Sequence, residues 1–168
     1  MSGGTPWRFV VVFGVTSAVL LAAYYFPYST GSTMRSVLDA YLKGYATVAG
    51  AILRPFEPNL VVSGQDIIGR YSIRIVKTCD GMDVYILFVS AIMAWPCALR
   101  RRLMGAAVGL ALLVVTNTAR ICSLYYVGVY APSSFEFVHI ELWPVVILLL
   151  AVTLFLLFIA HSRSHANA

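Results

Sequence analysis

The sequence predicts an all-α polytopic membrane protein with about four transmembrane helices, an amphipathic helix and a small β-hairpin. Of its 168 residues, 60% are hydrophobic and only 11% are charged, whereas an average soluble domain has about 25% charged residues. Four apolar runs approach or exceed the roughly 20 residues that cross a bilayer. A soluble fold of this length could not bury so much apolar surface, so lipid must solvate much of it.

The four runs with the length and polarity of spanning helices are residues 9–26, 82–99, 103–130 and 142–160. The first run ends in two tyrosines, Phe26 and Pro27 rather than in a small-residue cleavage site. We therefore interpret it as a retained helix that ends in an interfacial aromatic belt, and not as a signal peptide. Residues 161–168 are predicted to be a disordered tail, and residues 1–168 to form a single membrane domain.

Residues 34–53 repeat apolar side chains at the i, i+3, i+4, i+7 spacing of a helix. The opposite face carries Arg35, Asp39 and Lys43. This pattern predicts an amphipathic helix, most simply lying on the membrane surface. A fifth transmembrane helix is the alternative, although these three charges would be costly in lipid.

A different period follows in residues 58–78. Apolar residues alternate in the stretch Tyr71, Ile73 and Ile75, after an apolar triplet at 60–62, with glycines between the two stretches. Period-two alternation around glycine turns predicts a small β-hairpin on the outer face.

Basic residues give the topology only in part. Five of them (Arg8, the Arg100–Arg102 triplet and Arg163) would be cytoplasmic in a four-span arrangement, against six in residues 35–77 on the outside. We favour a cytoplasmic N-terminus because three arginines in one short loop are the densest signal, and long folded segments obey the positive-inside rule less strictly. The net charge of +5 fits such basic loops. No basic run interleaved with aromatic residues indicates a nucleic-acid surface.

This topology brings three polar positions to the outer side of the plasma membrane, the periplasmic or extracellular side. Cys79 precedes the outer end of the second span. Arg120 lies eighteen residues after Arg102, about 27 Å along a helix, and His139 lies in the predicted outer loop 131–141. A thiol, a guanidinium and an imidazole at one membrane face suit nucleophilic catalysis, in which a thiolate attacks and an imidazole transfers the proton.

Each of these residues also has a structural interpretation. Cys79 could be a packing cysteine, but it precedes Gly81 near a helix N-terminus, which favours a thiolate. Arg120 could extend to the lipid headgroups, yet a charge inside an apolar helix marks a functional site by default. Cys97 and Cys122 lie in apolar runs, where packing is expected. Three cysteines without a C-x-x-C pair argue against a disulfide scaffold and against a zinc site.

Several neighbours are predicted to support this site. Asn117 lies one helical turn before Arg120 and could hold it. Four of the seven acidic residues lie beside the cysteine and the histidine, namely Asp80, Asp83, Glu136 and Glu141. They could orient the imidazole, bind a basic substrate segment or remain solvated.

Three motifs, in order, resemble those of the exosortase and archaeosortase family over roughly residues 58–160. The segment Thr78-Cys79-Asp80-Gly81 resembles the family's Cys-x-Gly motif, and Asn117-Thr118-Ala119-Arg120-Ile121 is similar to its Asn-x-x-Arg motif. His139 matches the third position. Asp80 departs from the serine or asparagine more usual there, and its charge would disfavour a thiolate at Cys79.

The resemblance implies a cysteine transpeptidase whose substrates are membrane-anchored proteins with a C-terminal sorting tail, made of a short motif, a transmembrane helix and a basic cluster. It implies that Cys79 forms a thioester, that Arg120 stabilises the thiolate or the oxyanion, and that His139 transfers protons. A lipid, a glycan or water would accept the cleaved protein. It implies no metal and no organic cofactor.

Two other functions are compatible with the sequence. A membrane thiol oxidoreductase would use Cys79 and Cys122 as a redox pair, and a Cys122 substitution would then abolish its activity. A non-catalytic assembly protein would tolerate Cys79→Ser and Arg120→Ala.

Overall fold

The structure, a computed structural model, describes residues 6–29, 31–77 and 79–164. The chain divides into two compact units, each built from segments that are distant in the sequence. Unit 1 comprises Met1–Phe26, Met82–Val114 and Ile147–Ala168, and unit 2 comprises Pro27–Gly81 and Val115–Val146. That the whole chain is a single membrane domain stays a prediction.

Helices dominate both units. They are α1 (Pro6–Tyr25), α2 (Thr33–Leu53), α3 (Met82–Ala94), α4 (Leu99–Tyr130), the single turn α5 (Phe135–Phe137) and α6 (Trp143–Ser164). Within the described residues, three helical segments are long and apolar enough to cross a membrane, namely Pro6–Tyr25, Leu99–Tyr130 and Pro132–Ser162. The helix α3 is apolar but shorter. The prediction of a mainly helical, multi-pass membrane protein is confirmed.

The second predicted span, 82–99, is shorter than expected. Helix α3 ends at Ala94, just before Trp95 and Pro96, because a proline disfavours helical geometry in the residue before it. The predicted boundary at residue 103 is also wrong, since α4 begins at Leu99 and includes the arginine triplet. Arg102 donates hydrogen bonds to the carbonyl oxygens of Met93 (3.1 Å) and Cys97 (2.9 Å). The bond to Met93 satisfies an acceptor that the end of α3 leaves open.

Unit 1 packs helices closely through small residues. Helix α1 packs against α3. A side chain at Gly109 would collide with the Phe88 ring, and one at Gly105 would collide with the Phe158 ring. Such glycines let neighbouring helices approach within the apolar part of a membrane protein.

In unit 2, α2 has the predicted helical geometry. Ser32 caps its first turn by accepting a hydrogen bond from the Arg35 N–H, and Leu42, Ala49 and Leu53 are buried in the core of the unit. Other apolar residues of α2, including Val37, Val48 and Ile52, remain exposed. An exposed apolar strip fits a helix that lies on a membrane surface, which stays a prediction.

The predicted hairpin of 58–78 is a three-stranded antiparallel sheet. Its strands are β1 (Val61–Ser63), β2 (Asp66–Ile68) and β3 (Ser72–Arg74), in the order β1-β2-β3. The apolar pattern of the sequence did not predict β2, because a strand of three residues is too short to show alternation. Thr78 lies outside the described residues. Ile67 and Ile75 anchor the sheet in a core that includes Leu53, Ile121 and Tyr125.

The predicted loop 131–141 is almost entirely helical. A 3₁₀ turn (Pro132–Ser134), α5 and a π-helical turn (Val138–Leu142) lead into α6. Pro132 occupies the first helical position, where its missing N–H is not needed. At the other end α6 reaches Ser164, so the predicted disordered tail is wrong for residues 161–164. Residues 165–168 lie outside the described residues.

Candidate functional site

A thiol and an imidazole meet in unit 2. The Sγ atom of Cys79 lies 3.1 Å from Nε2 of His139, although the two residues are 60 positions apart in the sequence. Cys79 is 9% exposed and not disulfide-bonded. This distance allows a proton to pass directly between sulfur and nitrogen, which is the arrangement an activated cysteine nucleophile needs.

Three backbone contacts position Cys79. Its N–H donates a hydrogen bond to the Val76 carbonyl oxygen at 2.8 Å. The side-chain amide of Asn117 donates to the carbonyl oxygens of Cys79 (3.3 Å) and Asp80 (2.9 Å). Gly81 follows with a φ of 73°, a left-handed conformation that glycine adopts without the steric cost of a Cβ. The Cys-x-Gly spacing therefore has a conformational reason.

Asn117 binds the cysteine turn rather than serving only its own helix. It is fully buried, and a polar side chain in such a place must make hydrogen bonds or destabilise the fold. The sequence suggested that it could hold Arg120. In the structure its amide nitrogen connects α4 to the turn that carries the thiol.

His139 lies in the π-helical turn Val138–Leu142, where the N–H of Trp143 bonds to the carbonyl of Val138, five residues back. A π turn inserts one extra residue into a helix and frequently occurs at a functional site. The ring of Phe135, one turn earlier, lies 5.6 Å from the imidazole between centroids. This tilted ring contact restricts the orientation of the imidazole.

Arg120 reaches the same turn from α4. Its Nη2 donates a hydrogen bond to the carbonyl oxygen of His139 at 3.3 Å, and the residue is only 5% exposed. The structure thus brings Cys79, Arg120 and His139 together, each from a different element. The guanidinium contacts the backbone of the histidine, and it adds a positive charge to the site.

The predicted acidic neighbours are placed differently from one another. Asp80 is buried. Asp83 belongs to unit 1, where both of its carboxylate oxygens accept from the Tyr25 hydroxyl at 2.8 and 2.9 Å. Glu136 and Glu141 are exposed, and in the described part of the chain neither hydrogen-bonds to the His139 imidazole.

The other two cysteines lie in different surroundings. The thiol of Cys122 points to the carbonyl oxygen of Ala49 (3.9 Å) and packs on the core of unit 2. Cys97 lies in the connection between α3 and α4 and is only partly exposed. Within the described part of the chain, neither thiol hydrogen-bonds to a histidine.

A cleft of about 260 Å³ opens beside the thiol and the imidazole. One wall is the strand β3 with its flanking residues, and the other carries Ile121, Leu124 and Phe135. No group of three or more histidine, cysteine or acidic side chains that could hold a metal ion occurs among the described residues. The cleft is therefore an apolar groove with a nucleophile and a base at its edge.

Sequence reasoning missed an ion pair that fixes the sheet. The guanidinium of Arg70 holds both carboxylate oxygens of the buried Glu57 and bonds to the Tyr130 hydroxyl at 3.0 Å. The Tyr125 hydroxyl accepts from the Arg70 N–H at 3.1 Å. The Glu57 carboxylate raises the pKa of Arg70 further above its ordinary value. No local sequence pattern predicts such a network, because its members lie 13 to 60 residues apart.

Comparison with known protein families identifies a match over most of the chain. The family model described as transmembrane exosortase (Exosortase_EpsH) matches residues 5–158. No curated protein and no solved structure matches the chain.

Proposed function

Because this chain belongs to the transmembrane exosortase family, we propose that it is a cysteine transpeptidase that cleaves the C-terminal sorting tails of membrane-anchored proteins. The observation that carries this proposal is the 3.1 Å contact between the Cys79 thiol and the His139 imidazole. A buried thiol next to a base, at the edge of a groove that admits a peptide, is suited to acyl transfer.

In the first half-reaction His139 Nε2 takes the proton of the Cys79 thiol, and the sulfur attacks the scissile carbonyl carbon. The tetrahedral intermediate collapses when the C–N bond breaks, and His139 returns the proton to the departing amine. The product is a thioester on Cys79 and a released C-terminal tail. Proton transfer of this kind contributes about 10²- to 10⁴-fold to the rate.

In the second half-reaction an acceptor hydroxyl, amine or water attacks the thioester while His139 takes its proton. The C–S bond breaks, and the thiolate recovers a proton from His139. A lipid or glycan acceptor gives transpeptidation or its ester equivalent, whereas water gives hydrolysis. Each proton that leaves a nucleophile is returned to a leaving group, so the enzyme is regenerated.

We assign Arg120 to charge stabilisation. The backbone N–H of Cys79 already donates to Val76, so it is engaged in the turn and not directed at a substrate oxygen. A guanidinium that reaches the His139 turn supplies positive charge where the oxyanion develops. The same contact holds His139 in place.

The proposed location is the plasma (inner) membrane, with the site on the periplasmic or extracellular side. There the substrate's own transmembrane helix would keep its tail within the bilayer and present the adjoining motif to the site. The Tyr25–Asp83 contact makes no part of this mechanism.

Cleavage of a reporter in membranes tests the proposal. The reporter is a tagged exported protein that ends in a short motif, a transmembrane helix and an arginine cluster, and it is expressed with wild type, Cys79→Ala or Cys122→Ala. We expect Cys79→Ala to abolish the processed band and Cys122→Ala to retain it, at equal amounts of each protein. Cys122 is the matched control because its thiol is partly buried and packs on the core.

Two results would contradict the proposal. Processing that survives Cys79→Ala would show that another residue is the nucleophile. Loss of function with both alanine variants, together with a disulfide between Cys79 and Cys122 in the wild type, would favour the thiol oxidoreductase.

A further inference from the structure

The strand β3 leaves one edge of the sheet open. It is the last strand in the order β1-β2-β3. The Ile75 N–H donates to the Gln65 carbonyl oxygen at 2.9 Å, on the side of β2. Backbone groups alternate in direction along an antiparallel strand. The N–H and C=O groups of Ser72 and Arg74 therefore point away from β2.

Nothing in the described part of the chain pairs with this edge. The backbone groups of Ser72 and Arg74 have no hydrogen-bond partner among the described residues. The Arg74 guanidinium turns to Asp66 on β2, at 2.7 and 2.9 Å, and lowers the pKa of that carboxyl group. Charged side chains often protect an exposed edge, but this one is directed along the sheet instead.

The open edge and the nucleophile share one cleft. The residues from Tyr71 to Val76 line it consecutively, and Cys79 and His139 line the same space. The hydrogen bond from the Cys79 N–H to the Val76 carbonyl joins the end of this stretch to the turn that carries the thiol. A chain lying along β3 would lead directly to the sulfur.

We propose that the substrate's recognition segment binds as an added β-strand on the β3 edge and that this pairing delivers the scissile carbonyl to Cys79. The inference rests on the transpeptidase function proposed above. Strand addition draws affinity from main-chain hydrogen bonds. Near lipid it also satisfies peptide groups that water does not reach. A helical segment could not react in the same way, because its carbonyls are already hydrogen-bonded within the helix.

The lining of the cleft limits the substrate class. Tyr71, Ile121, Leu124 and Phe135 present aromatic and aliphatic surface, while the charge of Arg74 is already paired with Asp66. In a bound strand every second side chain faces the same way. The segment should therefore be extended, with apolar side chains at alternate positions.

A peptide electrophile tests this binding mode without a known substrate motif. The protein is the full-length chain in membranes with Cys97→Ser and Cys122→Ser, so that labelling reports Cys79 alone. The probe is a biotin-tagged tetrapeptide of leucine and alanine that ends in a vinyl sulfone, and ethyl vinyl sulfone is the matched reagent without a backbone. The sulfur adds to the terminal vinyl carbon, and the carbon next to the sulfone takes a proton.

We expect the tetrapeptide to label Cys79 at least about tenfold faster than ethyl vinyl sulfone. N-methylation of single peptide amides should slow labelling with a period of two. Methylation of an amide that faces β3 should slow labelling about three- to tenfold, the effect of one hydrogen bond. Methylation of the amides between them should change the labelling rate little. These alternate amides are the matched controls, since the methyl group is the same in both.

A variant tests the protein side of the pairing. Ser72→Pro removes an N–H that makes no bond within the sheet, and proline is tolerated in edge strands for this reason. We expect this variant to keep its unfolding temperature and to lose the rate advantage of the tetrapeptide. If the substitution lowers the unfolding temperature, the N-methyl series decides alone.

The outcomes separate the two proposals. A tetrapeptide no faster than ethyl vinyl sulfone, or equal rates throughout the N-methyl series, would overturn strand addition while leaving Cys79 as the nucleophile. Failure of the reporter to be cleaved, with Cys79 inert to both sulfones, would instead contradict the transpeptidase function.

Discussion

The side-chain amide nitrogen of Asn117 connects helix α4 to the turn that carries Cys79. It donates to the carbonyl oxygens of Cys79 and Asp80 from a fully buried position on α4. Deleting one partner of a buried hydrogen bond leaves the other unsatisfied, which costs about 1–3 kcal/mol. Asn117 is therefore expected to position the thiol, a function that its spacing from Arg120 alone did not reveal.

Asn117→Asp isolates this donor because it keeps the size of the side chain and removes the N–H groups. We expect reporter cleavage to fall by roughly 100-fold, the order of loss that follows a 1 Å misplacement of a reacting group. Ser123→Ala on the same helix is the control, since that hydroxyl only bonds back to the Arg120 carbonyl at 2.8 Å. Full cleavage by a folded Asn117→Asp protein would show that Asn117 does not position the thiol.

The predicted topology and the three motifs singled out Cys79, Arg120 and His139, and the structure brings them together. The sequence did not reveal what holds them. The contact of Cys79 with Asn117, 38 residues away, depends on how distant segments fold together, and an asparagine in a helix carries no sign of its partner. The acidic residues show the reverse case: proximity in sequence suggested that Glu136 or Glu141 could orient the imidazole of His139, but within the described residues neither carboxylate hydrogen-bonds to it.

Among the elements, the π-helical turn Val138–Leu142 carries His139. The sequence predicts a loop at 131–141, because a π turn has no periodic pattern of its own. The strand β2 was also not predicted, because its three residues are too few to show alternation. The long helices were predictable because their apolar runs are long. An error of a few residues at an end, near a proline or an arginine, does not change their assignment as helices.

Deleting Ile140 tests the π turn directly. Removing one residue converts the five-residue spacing between Trp143 and Val138 into an ordinary helical one, and it rotates the preceding segment by about 100° relative to α6. We expect reporter cleavage to be lost and the protein still to insert in the membrane. Ile140→Ala keeps the residue count and should retain cleavage, since Ile140 is 59% exposed. Equal activity of the two variants would show that the turn does not orient His139.

At the scale of the whole molecule, the main question is whether the short helix α3 crosses the membrane. Thirteen residues extend about 20 Å as a helix, whereas the hydrocarbon core is about 30 Å thick. The four-span topology nevertheless requires the chain to cross between residues 82 and 99. A short span is accommodated by local thinning of the bilayer, at a modest free-energy cost, and the arginine triplet after it favours the cytoplasmic side.

Two native cysteines flank this helix and report its crossing. In sealed, right-side-out vesicles we compare Cys97→Ser/Cys122→Ser, which retains Cys79, with Cys79→Ser/Cys122→Ser, which retains Cys97. A membrane-impermeant methanethiosulfonate should block Cys79 from outside and should reach Cys97 only after the vesicles are opened with detergent, because the predicted topology places the proposed site outside and the α3–α4 connection in the cytoplasm. Blocking of both cysteines from outside would mean that α3 does not cross. In that case the basic residues of α4 would lie on the same side as the thiol, and the substrate tail could not be oriented as the four-span arrangement requires.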